Sequence, residues 1–157
     1  MKRIILLAFF TLIIMGFTPF ETKKSLTQTQ LKFIKDNYKW NTEKLLIINF
    51  RHKRENCFYD NTTNLEGGRN WWSKFYSKIN LNKVLNIYVY SDSVSAKKII
   101  DTKTKFEDYV DFLLATFFNT KKECYGILVI NSNGEYEIHE GEYTVKQVKG
   151  FIKTLKK

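Results

Sequence analysis

The chain has 157 residues, 43% of them hydrophobic and 16% aromatic, with a formal net charge of +10 at pH 7. That length suits a single domain, and one proline and seven glycines among so many aromatics exclude a disordered chain, a low-complexity segment and a repeat array. The basic excess favours anionic neighbours such as lipid head groups, acidic glycans or acidic proteins, although evenly spread lysines are also what an ordinary solvated surface shows; no nucleic-acid motif accompanies them, so no nucleic acid is expected as partner.

The opening "MKRIILLAFFTLIIMGFTPF" is charged only at Lys2 and Arg3 and is then mostly apolar over residues 4–20, the pattern of a secretory signal. The run is slightly long for a signal core, slightly short for a membrane span, and lacks a small-x-small cleavage site. A cleaved signal over residues 1–22 and a retained anchor attaching the chain to a membrane through residues 4–20 therefore both stay open. Either way the rest is expected outside the cytoplasm, periplasmic or secreted. The richness in Lys, Asn and Ile points to a bacterium. Pro19, the only proline, falls in this segment.

Residues 23–42 read as a lead-in helix, with Ser25 and Gln28 placed for a capping box, and a domain over residues 43–157 follows. A strand is expected over residues 44–50, then an irregular, solvent-facing polar loop over residues 51–68. Trp71, Trp72, Phe75, Tyr76 and Ile79 recur at helical spacing, and "KVLNIYVYS" reads as a buried strand, giving a parallel strand-helix-strand unit. After a polar lead-in in which "SAKKII" adds a short helical turn, Phe106, Val110, Leu113, Leu114 and Phe117 predict a second helix. "YGILVINSNGEYEIHEG" is a hairpin that turns at Asn133-Gly134 and alternates Tyr136 and Ile138 against Glu135, Glu137 and His139. A last helix opens at Thr144 and places Val145, Val148, Ile152 and Leu155 on one face, with lysines toward its C-terminal end, where they suit the helix dipole.

This order, together with the C-terminal unit "YGILVINSNGEYEIHEGEYTVKQVKGFIKTL", resembles the thioredoxin-like fold over residues 44–157. The resemblance implies an α/β fold with a four-stranded mixed sheet of order 4-3-1-2 and helices on both faces, behind the N-terminal lead-in helix. It is similar to uncharacterised exported thioredoxin-like domains, a likeness that implies fold and export but no activity. The C-x-x-C that thioredoxins place at the start of their first helix is missing, as is the proline before the third strand, where this chain reads Cys124-Tyr125-Gly126. A second thiol three residues on would resolve a mixed disulfide quickly, so its absence argues against ordinary dithiol exchange. Peroxiredoxins, another branch of the fold, use one attacking cysteine in the loop that here carries Cys57, activated by an arginine and by a threonine three residues upstream. That upstream position is Arg54, and the motif's proline is absent.

Two readings of different class follow. In the favoured one the chain is an exported, non-catalytic binding or accessory module, contacting an unknown protein or anionic partner through the long loop and the cations Arg51, His52, Lys53 and Arg54. In the alternative it is a thiol-dependent oxidoreductase or peroxidase, in which those cations favour a Cys57 thiolate and Cys124 resolves. The fold resemblance places Cys124 beside the loop holding Cys57 and so implies a disulfide between them, closing about 67 residues for about 4 kcal/mol, less any strain. Neither metal nor cofactor is expected: His52, Cys57, Cys124 and His139 lack ligand spacing, there is no G-x-S-x-G turn, and "GGRNWW" is wrongly patterned for a phosphate loop.

Overall fold

The run "LLIINFR" is buried at all seven positions of strand β1, Leu45–Arg51, as a central strand covered on both faces requires. The computed structural model describes residues 24–52, 65–118 and 123–156, without the side chains of residues 65–69. β1 pairs in parallel with β2, Val84–Tyr90, and antiparallel with β4, Tyr125–Asn131, which continues through a hairpin to β5, Tyr136–Glu140. Gly134, at φ 87°, takes the left-handed position in that turn, as Asn-Gly predicts.

The side chains of β1 alternate between two cores. Leu46, Ile48 and Phe50 meet Leu31 and Ile34 of helix α1, Gln28–Asn37, with Tyr38, Trp40, Leu128 and Ile130. Leu45 and Ile47 meet Phe75 and Tyr76 of helix α2, Leu65–Tyr76, and Val148, Ile152 and Leu155 of the last helix, α5, Val145–Leu155. Thr144 caps α5 and exchanges hydrogen bonds with Gln147, as its sequence signals.

The sheet has five strands rather than four, in the order β3-β2-β1-β4-β5. The added strand, β3, Lys105–Glu107, lies parallel to β2 and pairs Phe106 with Val89. Phe106 therefore belongs to a strand and not to the expected second helix, and it is fully buried. That helix is also shorter than expected. The Asp108 carboxylate accepts the amides of Leu113 (2.9 Å) and Leu114 (2.8 Å), so helix α4 runs only over Phe112–Thr116. The helical turn expected from "SAKKII" comes two residues earlier, as α3, Ser93–Ala96, capped by Asp92. Between β3 and α4 a 3-10 turn, Tyr109–Asp111, holds Val110 at φ 51° and 85% exposed, so it adds nothing to the core.

Two further expectations need correction. The capping box of α1 is Thr27 with Gln30, because Ser25 instead bridges Glu135 in extended conformation. Of the loop expected over residues 51–68, Arg51 belongs to β1 and residues 65–68 belong to α2, while residues 53–64 lie outside the described residues.

Gly126 of β4 gives the ring of Phe118 its place on the sheet, and that ring stacks on Phe50 with centroids 4.4 Å apart. A Cβ at Gly126 would lie 2.5 Å from Phe118 Cδ1 and 3.4 Å from the His139 carbonyl oxygen. Gly126→Ala is expected to destabilise by about 1–3 kcal/mol, the range for overpacking a close-packed core. Urea unfolding measures this, and an unchanged midpoint would mean that the two rings do not stack over Gly126.

Candidate functional site

In open sheets, ligand sites gather beyond the carboxyl ends of parallel strands, and here the ends of β1 and β2 carry Arg51, His52, Ser91 and Asp92. The antiparallel neighbour β4 starts at the same end, its Tyr125 opposite Arg51, so Cys124 arrives there too. Backbone bonds tie the three segments: the His52 amide donates to the Cys124 carbonyl at 3.0 Å and the Ser91 amide to the Arg51 carbonyl at 2.9 Å. His52 Nδ1 lies 2.9 Å from Ser91 Oγ, a contact that orients the imidazole. Asp92 is occupied with Ser95, accepting its amide at 3.0 Å and its hydroxyl at 2.9 Å.

Arg51 is not part of a solvated loop: it is 3% exposed. Its guanidinium carbon lies 4.2 Å from the ring centroid of Trp72, 4.8 Å from Tyr125 and 5.7 Å from Tyr88, and its Nη1 donates to the Phe50 carbonyl at 3.2 Å. A desolvated guanidinium is attracted to aromatic faces, which explains how a charge is tolerated on this side of the sheet. Trp72 thus turns inward while Trp71 remains 49% exposed.

One step back along the same face, Asn49 is fully buried and bonded through both ends of its amide. Its Oδ1 accepts the hydroxyls of Tyr76 and Tyr143, the latter at 2.6 Å, and its Nδ2 donates to Asn86 Oδ1 and the Ile87 carbonyl, both at 2.8 Å. Sequence reasoning missed this network, although a lone asparagine inside "LLIINF" was the available signal.

Burial raises the pKa values of Tyr76, Tyr88 and Tyr143, and the nearby Arg51 charge only partly opposes it. Unfolded tyrosines ionise near pH 10, whereas these stay protonated above it. The folded state then binds more protons than the unfolded one, so stability holds below about pH 10 and falls as pH rises through and beyond it. Titration followed by tyrosinate absorbance and near-UV circular dichroism should show these three ionising only as the fold is lost. Full ionisation of all nine tyrosines near pH 10 with the fold intact would contradict the network.

Of the expected site residues, the structure brings Arg51, His52 and Cys124 to one end of the sheet. Lys53, Arg54 and Cys57 lie outside the described residues. His139, on β5, is held separately, with Nε2 2.9 Å from the Glu142 carbonyl oxygen. Among the described residues no group of three His, Cys, Asp or Glu side chains is placed to hold a metal ion. No described helix is long and apolar enough to cross a membrane, and residues 4–20 lie outside the described part.

Apart from the added β3, the strands run β5-β4-β1-β2, with β1 and β2 parallel, β4 antiparallel to β1 and helices on both faces, which is the order 4-3-1-2 expected from the thioredoxin-like resemblance. No protein-family model matches the chain. No curated protein matches it either. Among solved structures it is similar to MTB dsbF in its mixed oxidized and reduced forms, at 12% identity and a TM-score of 0.45 over 73% of this chain and 82% of that one. It is also similar to StoA from Bacillus subtilis, at 16% identity and a TM-score of 0.46 over 71% of this chain and 84% of that one.

Proposed function

We propose that the chain is an exported thioredoxin-like module that works by binding a protein or anionic partner, with Cys57 and Cys124 joined in a structural disulfide. The observation that carries this reading is at Cys124, which has no free thiol and so supports its pairing with Cys57, the only other cysteine of the chain. A cysteine held in a bridge is not available as a nucleophile.

One observation favours the redox alternative: Arg51 and His52 stand beside Cys124 at the sheet end. Non-reducing peptide mapping of the exported protein, followed by iodoacetamide trapping of its reduced form across pH, separates the two. The binding reading expects one linked peptide pair, a loss of about 2–4 kcal/mol on reduction, and a Cys57 pKa near the ordinary value of about 8.5. A pKa below about 7, or a bridge that glutathione reduces readily, would make the chain a thiol enzyme. Separately alkylatable peptides from the oxidised protein would remove the bridge.

A further inference from the structure

The end of the sheet opposite Cys124 is basic, and the chain enters the domain there. Lys44 and Lys83 immediately precede β1 and β2, and the Lys44 amide donates to the Lys83 carbonyl at 2.9 Å. The Ser132 amide donates to the Lys44 carbonyl at 3.2 Å, which brings the end of β4 to the same place. Asn131 Nδ2 reaches the Leu155 carbonyl at 3.4 Å, adding the C-terminus of α5 with Lys153 and Lys156. The chain comes in beside them, where the Tyr136 amide donates to the Lys24 carbonyl at 3.0 Å and Ser25 bridges Glu135.

All five lysines are exposed, and none forms an ion pair with a described residue. Two carboxylates also lie at this end, Glu43, which accepts the Thr42 N–H at 3.3 Å, and Glu135, which accepts Asn131 Nδ2 at 2.8 Å. Both keep their charge, and five lysines against these two carboxylates leave the end with a positive excess. Upstream, only Glu21, Thr22 and Lys23 separate the apolar residues 4–20 from Lys24. Four extended residues reach at most about 14 Å. A bilayer holding residues 4–20 would thus keep this end within one or two Debye lengths, about 8–10 Å each, of its head groups.

We propose that the surface formed by Lys24, Lys44, Lys83, Lys153 and Lys156 lies against anionic phospholipid head groups, turning the end with His52, Ser91 and Cys124 away from the membrane. Charge complementarity and the short tether select lipid over other anions. The seven residues of β1 then lift the opposite end about 20 Å above the surface. This orientation is independent of whether the cysteines are structural or reactive.

The test uses the full chain in vesicles of phosphatidylcholine alone or mixed with phosphatidylglycerol. Lysine acetylation at low salt is mapped by mass spectrometry. The expected result is several-fold slower acetylation of Lys44, Lys83, Lys153 and Lys156 in the anionic vesicles, unchanged rates at the exposed Lys97 and Lys98, and loss of the protection at high salt. The triple variant Lys44→Glu, Lys153→Glu, Lys156→Glu should remove the protection of Lys83 while still floating with the vesicles. Equal rates in both lipids, protection at Lys97 and Lys98 instead, protection that survives high salt or the triple variant, or a chain that does not float with vesicles would each overturn the proposal.

Discussion

Asn49→Leu is expected to destabilise the domain by about 5 kcal/mol, because it keeps the branched shape with some added bulk but leaves several buried polar groups without their partner, at about 1–3 kcal/mol each. The Tyr76 and Tyr143 hydroxyls lose a shared acceptor, and Asn86 loses its donor. Two of these groups sit on residues only 6% exposed, so water does not readily replace what is lost. The single variants Tyr76→Phe and Tyr143→Phe should each cost much less, about 1 kcal/mol, since Asn49 Oδ1 keeps the other hydroxyl.

The decisive comparison is the triple variant Asn49→Leu, Tyr76→Phe, Tyr143→Phe. If unsatisfied groups cause the loss, removing the hydroxyls as well should recover much of it, because an apolar replacement of a whole network costs less than a broken one. Urea unfolding of the four variants reads this directly. A triple variant that loses the sum of the single effects would show that Asn49 acts through packing alone. Stability near that of wild type for Asn49→Leu itself would mean that the network does not exist in solution.

The parts of the fold most legible in the sequence were those where local chemistry and hydrophobic period agree. Asn133-Gly134 between alternating residues marked the hairpin, and Thr144 marked the start of α5, where the structure adds its exchange of hydrogen bonds with Gln147. The sequence failed where it offered two equal choices. Ser25 with Gln28 and Thr27 with Gln30 are both capping-box spacings, and only the pairing of Ser25 with Glu135 decides between them. Phe106 falls at helical spacing with Val110, and three residues of β3 are too few to show a period of two.

The candidate site was legible only in part. Cys124 was placed by topology, and His52 by its position after β1. Arg51 was misjudged because a cation at the end of an apolar run looks like the start of a loop. The alternation Leu45, Ile47, Asn49, Arg51 put it on an inward face, but its compensation comes from Trp72, Tyr88 and Tyr125, which belong to three different elements. Long-range contacts of that kind leave no local pattern.

Trp40→Ala is expected to cost about 3–5 kcal/mol, the usual range for emptying a large buried aromatic site. Trp40 is 2% exposed, and its Nε1 donates to the Glu43 carbonyl at 2.8 Å just before β1. It shares a core with Leu31, Ile34 and Tyr38, and the Tyr38 ring meets Phe106 of the opposite sheet edge at 88° with centroids 5.6 Å apart. The expected boundary between a lead-in helix over residues 23–42 and a domain from residue 43 would put Trp40 outside the domain, whereas these contacts make α1 one wall of its core. The Lys35 ammonium lies 5.4 Å from the Trp40 ring centroid, so Lys35→Ala removes a single exposed cation–π contact and should cost under about 1 kcal/mol. Thermal and urea unfolding of the two variants, with amide exchange across α1, separates the alternatives. A small loss for Trp40→Ala with rapid exchange throughout α1 would make the helix an appendage. A large loss with α1 protected as strongly as β1 would mean that the domain needs residues 24–42 to fold.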